Sequence, residues 1–180
     1  MFLLDLSKPW QIVVLILLIL LATYILVFIV NLIFVFSFGK MMRRENKAIR
    51  VALSTKLDIL KKCGELITAN EIKLTERCLH SLKYLDNEDF LEVQKDEYFQ
   101  STAELEKAEK EIVRILTSNR KLSGKDEVEL LKSLIKDVNE SLRILIMGYN
   151  ADVLGYNYWV RFPPCKYVFL LFKVKTKKTI

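Results

Sequence analysis

The residues able to do chemistry are few and poorly grouped. His80 is the only histidine, and the nearby Glu76 and Cys78 complete no metal-ligand spacing, so an exposed or half-buried imidazole is the expectation. Cys63, Cys78 and Cys165 are odd in number, widely spaced and without a Cys-x-x-Cys pair, which points to reduced, partly buried thiols rather than a disulfide framework or a zinc site. No nucleophile elbow, Gly-rich phosphate loop or paired-histidine motif occurs. Carboxylates are plentiful: ten lie between Asp86 and Glu111, against only Lys95, Lys107 and Lys110. They read as a solvated helix face, or one awaiting a basic partner, and not as a general acid–base pair. No enzyme activity, cofactor or metal is expected.

One constellation does repeat. Tyr149-Asn150 recurs seven residues on as Tyr156-Asn157, and Phe162-Pro163 closes the stretch. On a helix this spacing gives a row of tyrosines beside a row of asparagines. Two readings are open. In one, the rings fill a helix seam while the hydroxyls and amides bond neighbouring helices. In the other, the rows present a binding face to a partner peptide or a lipid head group.

The elements that must position these residues start with a charge-free stretch from Pro9 to Gly39. Twenty of the twenty-four residues from Ile12 to Val35 are Leu, Ile, Val or Phe. As a helix the stretch would be about 46 Å long, against a hydrocarbon core of about 30 Å. A transmembrane helix over residues 11–38 is expected, with residues 1–10 as a short extracytoplasmic tail. A cleaved signal is disfavoured: residues 1–8 carry only Asp5 and Lys8, the apolar core is too long, and Val35 to Gly39 lacks the small-residue cleavage pattern. Lys40, Arg43, Arg44, Lys47 and Arg50 crowd the far flank, so the bulk of the chain is expected to be cytoplasmic at a cell membrane crossed once.

Charge is unevenly distributed about the net +6. Residues 40–62 carry eight Lys/Arg against Glu45 and Asp58, and residues 166–180 carry five lysines and no acid. This basic collar suits anionic lipid. It has no interleaved aromatics and leads into no nucleic-acid-binding motif, so no nucleic-acid partner is expected.

Between Pro9 and Pro163 there is no proline, which favours long helices. Ile49, Leu53, Leu57, Leu60, Ile67 and Leu74 make one stripe, predicting that the first helix runs on from the membrane, kinks at Gly64 and ends near Tyr84 to Asn87. Leu91, Tyr98, Leu105 and Ile112, with Ala108 and Ile115, predict a second helix. Val128, Leu131, Ile135, Val138, Leu142, Leu145 and Tyr149 step by three and four, predicting a third helix antiparallel to the second, begun at Asp126-Glu127 and stopped by Pro163-Pro164. Gly148 and Gly155 mark a face that another helix can approach closely. The fold expected is all-α: a transmembrane helix continuing into an antiparallel bundle of three to four long helices over residues 40–163. An apolar then basic tail, residues 164–180, either caps the core or makes a second contact with an anionic membrane.

The closing Tyr-Asn, Tyr-Asn and Phe-Pro pairs resemble the YN-x5-YN-x4-FP signature of the LemA family, and Lys56-Leu57-Asp58-Ile59-Leu60 is similar to its basic-aromatic-DLIPN stretch. The order of elements also looks like that family. Lys61-Lys62 replaces the usual Pro-Asn, and Tyr167 to Phe172 replaces the usual small-residue, Phe-Gly-Phe ending. The resemblance implies a bacterial, membrane-anchored helical protein with no established enzymatic reaction, one branch of the family being associated with magnetosome membranes. The function expected is a non-enzymatic scaffold that gathers membrane or envelope proteins and can self-associate into a homo-oligomer. The alternative is an accessory subunit of a membrane enzyme such as a protease, docked through the acidic second helix.

Overall fold

A computed structural model describes residues 9–86, 95–122, 124–163, 166–171 and 173–180. Asp5, Lys8, Glu88, Leu91, Pro164, Cys165 and Phe172 lie outside the described residues. The protein is all-α: α1 (Pro9–Ala69), α2 (Glu76–Asp86), α3 (Lys95–Ser118), α4 (Asp126–Arg161) and a short α5 (Lys166–Leu171), with no strand among the described residues. The chain divides into two compact units. One comprises residues 1–43 with 149–180, the other residues 44–148.

The second unit is an up-down-up-down bundle. Ile49, Leu53, Leu57, Leu60, Cys63 and Ile67 of α1 are buried with Cys78 and Leu82 of α2, with Leu105, Ala108, Ile112 and Leu116 of α3, and with Val128, Leu131, Ile135 and Leu142 of α4. The seam expected on α4 is therefore present, while on α3 Leu116 rather than Ile115 completes the core. Directions follow from cross-helix bonds. Thr75 and Ser81 meet Glu111 and Glu104, so α2 runs against α3. Glu45 lies over Gly148 and Asn70 accepts from Lys125, so α1 runs against α4. A carbon at Gly148 would stand 2.7 Å from a Glu45 carboxylate oxygen, which is the close approach expected of this glycine.

At the heart of this unit is a buried polar node. The Lys56 ammonium lies 2.5 Å from a Glu109 carboxylate oxygen, with Lys56 only 6% exposed, and the Asn139 amide donates to the other oxygen of the same carboxylate. One carboxylate of the acidic helix thus joins α1, α3 and α4. Glu104 accepts from Ser81 and Lys107, and Glu111 accepts from the Thr75 backbone amide. These acids do more than face water.

The first helix ends earlier than the stripe suggests. It continues through Gly64, where Leu74 and Leu82 pack over the missing side chain, and stops at Ala69 instead of running to Tyr84–Asn87. Ile72 N–H bonds the Ile67 carbonyl, Glu71 N–H bonds the Thr68 carbonyl, and Glu71 sits at φ 62°. This is a Schellman cap with glutamate in the left-handed position that glycine usually takes. The Asn70 amide secures it by donating to the Leu66 carbonyl.

In the first unit α1 and α4 are antiparallel. The Phe34 and Trp159 rings stack at 4.5 Å, and Phe38 lies over Gly155, where a carbon would come within 2.7 Å of its ring. Along α1 burial in this unit begins at Asn31 and continues at Val35 and Met42, a step of four and then seven. No residue from 10 to 27 is buried in this way. Trp10, Leu17, Leu20, Leu26 and their neighbours are exposed, and the most apolar window has a mean hydropathy of 3.4 with none of it buried. This is one helix long and apolar enough to cross a membrane.

Candidate functional site

The Tyr-Asn motif is built on the last turns of α4, in the first unit. Tyr149 and Tyr156 are both buried, and burial raises both phenols above their ordinary pKa. Val153 and Val160 continue the same buried face. The tyrosine row therefore belongs to the seam, as the packing reading had it.

The asparagine row does something else. Asn157 donates from its amide nitrogen to the Lys177 carbonyl at 2.8 Å and accepts from the Lys177 backbone N–H at 2.8 Å. Asn150 does the same with Ile180, at 3.0 and 2.9 Å. Each amide thus pairs with one residue of the C-terminal segment, in the way one strand pairs with another. The partner is not a neighbouring helix but the extended backbone of residues 174–180. The spacing is commensurate, since seven helical residues rise about 10.5 Å and three extended residues about 10 Å.

The segment is aimed back along α4 by a second Schellman cap. Val174 N–H bonds the Phe169 carbonyl, Lys173 N–H bonds the Leu170 carbonyl, and Lys173 has φ 54°. Phe169 is buried and meets Phe28 with ring centroids 6.2 Å apart, whereas Tyr167, Leu170 and Leu171 of α5 are exposed. One residue of α5 thus packs inward and three face outward. The Lys177 ammonium rests 5.3 Å from the centre of the Tyr156 ring.

Phe162, the third element of the motif, joins an aromatic cluster with Tyr158 and Trp159, at 5.9 and 5.5 Å, and Pro163 follows in the exposed turn after α4. Of the basic collar, Lys40, Arg43, Arg44 and Lys47 are exposed and Arg50 is half-buried. At one hundred degrees per residue the first four share a face of α1 opposite Val35, Met42 and Ile49. The Arg43 Nε–H bonds the Gly39 carbonyl at 3.2 Å, folding the guanidinium back toward the apolar stretch. Beside it runs a cleft of about 640 Å³, bounded by α1, the end of α4, α5 and the tail. Sequence reasoning did not find this cleft. The apolar run from Tyr167 to Leu171, followed by lysines, was its only trace.

Two buried polar side chains in this unit stand apart. Asn31 is 0% exposed and neither amide atom has a partner among the described residues, and one carboxylate oxygen of the buried Asp152 also lacks one. Sequence reasoning passed over both. Asn31 was visible as one of the few polar interruptions of the apolar stretch.

Elsewhere the chemistry is quiet. His80 is exposed. Among the described residues no group of three His, Cys, Asp or Glu could hold a metal. Cys63 and Cys78 are free and buried, and burial pushes both thiols up to about 11, so they are neutral at ordinary pH. Searches of protein-family models, of curated proteins and of solved structures each returned no match to this chain.

Proposed function

We propose that this protein is a single-pass, membrane-anchored helical scaffold of the LemA type, with its N-terminus outside and the bundle on the cytoplasmic side, which gathers other membrane or envelope proteins rather than turning over a substrate. The observation that supports it most is the contrast along α1. Residues 10–27 are exposed on almost every face, and the charge-free helix they open runs on to Gly39, about 46 Å in all, longer than a hydrocarbon core of about 30 Å. A bare apolar helix of that length suits lipid, where its backbone is satisfied internally and its side chains need no partner. The exposed basic face from Lys40 to Lys47 favours the orientation.

The scaffold role draws on α4, where Leu130, Leu134, Ile144 and Met147 are exposed, a stripe interrupted by Asp137 and Ser141 that a partner or a second copy would cover. An accessory-subunit role would use the acidic face of α3, but Glu104, Glu109 and Glu111 already have partners inside the bundle. The test is alkaline carbonate extraction of membranes holding the full chain, followed by crosslinking. Retention in the pellet, with crosslinked species lost on Leu134→Glu with Ile144→Glu, is expected. Release into the supernatant would sink the anchor, and crosslinks indifferent to the double substitution would sink the stripe.

A further inference from the structure

We propose that the cleft in the first unit holds one acyl chain of an anionic phospholipid from the adjoining leaflet, with the head group on Arg43 and Lys177. The inference rests on the reading that α1 crosses a bilayer. The cleft has the polarity gradient of a lipid. One end is lined by Phe28, Leu32, Val35 and Phe169, and the other carries the guanidinium of Arg43 and the ammonium of Lys177. On α1 the lining starts at Phe28, inside the apolar stretch, and ends at Arg43, just beyond it, which in a bilayer is the direction from hydrocarbon to head groups. Phe28 to Gly39 spans about 16 Å of helix, close to half of a hydrocarbon core of about 30 Å.

The outer wall is the clamped tail. Val174 and Lys177 both line the cleft, and they are held there by the paired amide bonds of Asn157 and Asn150 and by the cap at Lys173. The bonds go to backbone atoms, so the amides set the wall without engaging the tail side chains. Asn150 and Asn157 are positioning residues for a wall that they do not themselves form. The exposed Tyr167, Leu170 and Leu171 lie beside the apolar end, where α5 would rest in the same leaflet and bring the cleft mouth to the lipid.

The experiment uses the full chain in vesicles of equal parts phosphatidylcholine and phosphatidylglycerol, doped with a trace of either lipid carrying a photoreactive group at the acyl terminus. Flotation is scored first, and crosslinked peptides are then mapped. The proposal expects labelling concentrated on peptides holding Phe28–Val35 and Phe169, with the phosphatidylglycerol probe favoured about tenfold, the scale of one to two basic residues near a membrane surface. Arg43→Gln with Lys177→Gln should erase the head-group preference. Asn150→Ala with Asn157→Ala should lower labelling at Phe169, with flotation and helical circular dichroism unchanged in both variants. A chain that floats but is labelled evenly along residues 12–30, with no head-group preference, overturns the cleft and leaves the anchor standing. A chain that does not float overturns both.

Discussion

The two halves of α1 are rich in the same residues and live by different rules. From Trp10 to Val27 nearly all the apolar side chains are exposed, and from Arg44 to Ala69 a single buried stripe alternates with charged and polar positions. The second half carries Lys56, a buried charge, and tolerates it because Glu109 and Asn139 complete its surroundings. The first half has no such arrangement for a charge. Hydrophobicity alone does not say how a helix is used; the phase of its polar positions does. A stripe implies a protein neighbour, and no phase at all implies a solvent that is itself apolar.

The sharpest way to break this contrast is at the node. Lys56→Ala strands a carboxylate inside the bundle and should lower its unfolding free energy by about 3–5 kcal/mol, whereas Lys56→Met with Glu109→Leu should restore most of the loss. Thermal unfolding followed by circular dichroism checks both, and a double variant as weak as the single would mean that the pair has no special cost. Next comes the lipid-facing half. Leu18→Arg puts an unpaired charge at mid-span, a penalty of about 3 kcal/mol on insertion. It should reduce membrane retention in carbonate extraction while leaving the bundle's melting temperature alone. A fall in melting temperature would mean that residue 18 has a protein neighbour after all.

A third substitution probes the boundary between the two regimes. Asn31 is buried with an unpaired amide, so Asn31→Leu should stabilise the first unit by about 1–3 kcal/mol, the cost of an unmet buried polar group. Reduced resistance to denaturant would show instead that the amide has a partner in the working protein. The smallest effect belongs to the turn that ends the helix. Glu71 occupies a left-handed conformation, and Glu71→Gly should gain about 1 kcal/mol. Hydrogen exchange at Asn70 to Ile72 would register the gain, and faster exchange there would count against the cap.

Much of this architecture is legible in the residues. The apolar stretch, the seam of α4 and its limits at Asp126 and Arg161 all follow from spacing and punctuation. What escaped has physical reasons. The break after Ala69 carries neither Gly nor Pro, because a glutamate was accepted into the glycine position of a Schellman cap. The burial of Asn31, Val35 and Met42 was hidden because a stretch apolar on all faces offers no contrast from which to read a phase. Glu109 looked like one more acid on a solvated face, since its value depends on Lys56, fifty-three positions away, and not on its own neighbours. The asparagine row was visible as a row, but its partner is main chain, which has the same composition everywhere and so leaves no mark in a sequence.

The amide clamp has a consequence for how the C-terminal segment can vary. Asn150 and Asn157 read only N–H and C=O groups, and they read them at every third residue, like two teeth of a gear engaging an evenly cut rack. Any side chain can ride on such a rack, with one exception: proline at 177 or 180 would remove the hydrogen that the carbonyl of the tooth requires. A single residue inserted between those positions would disengage one tooth whichever way the segment slid. The clamp thus leaves side-chain chemistry to other demands, such as the Lys177 contact with Tyr156, and fixes the spacing of positions 177 and 180, the opposite of the helical core behind it, where composition is constrained and the pairing of faces sets the register.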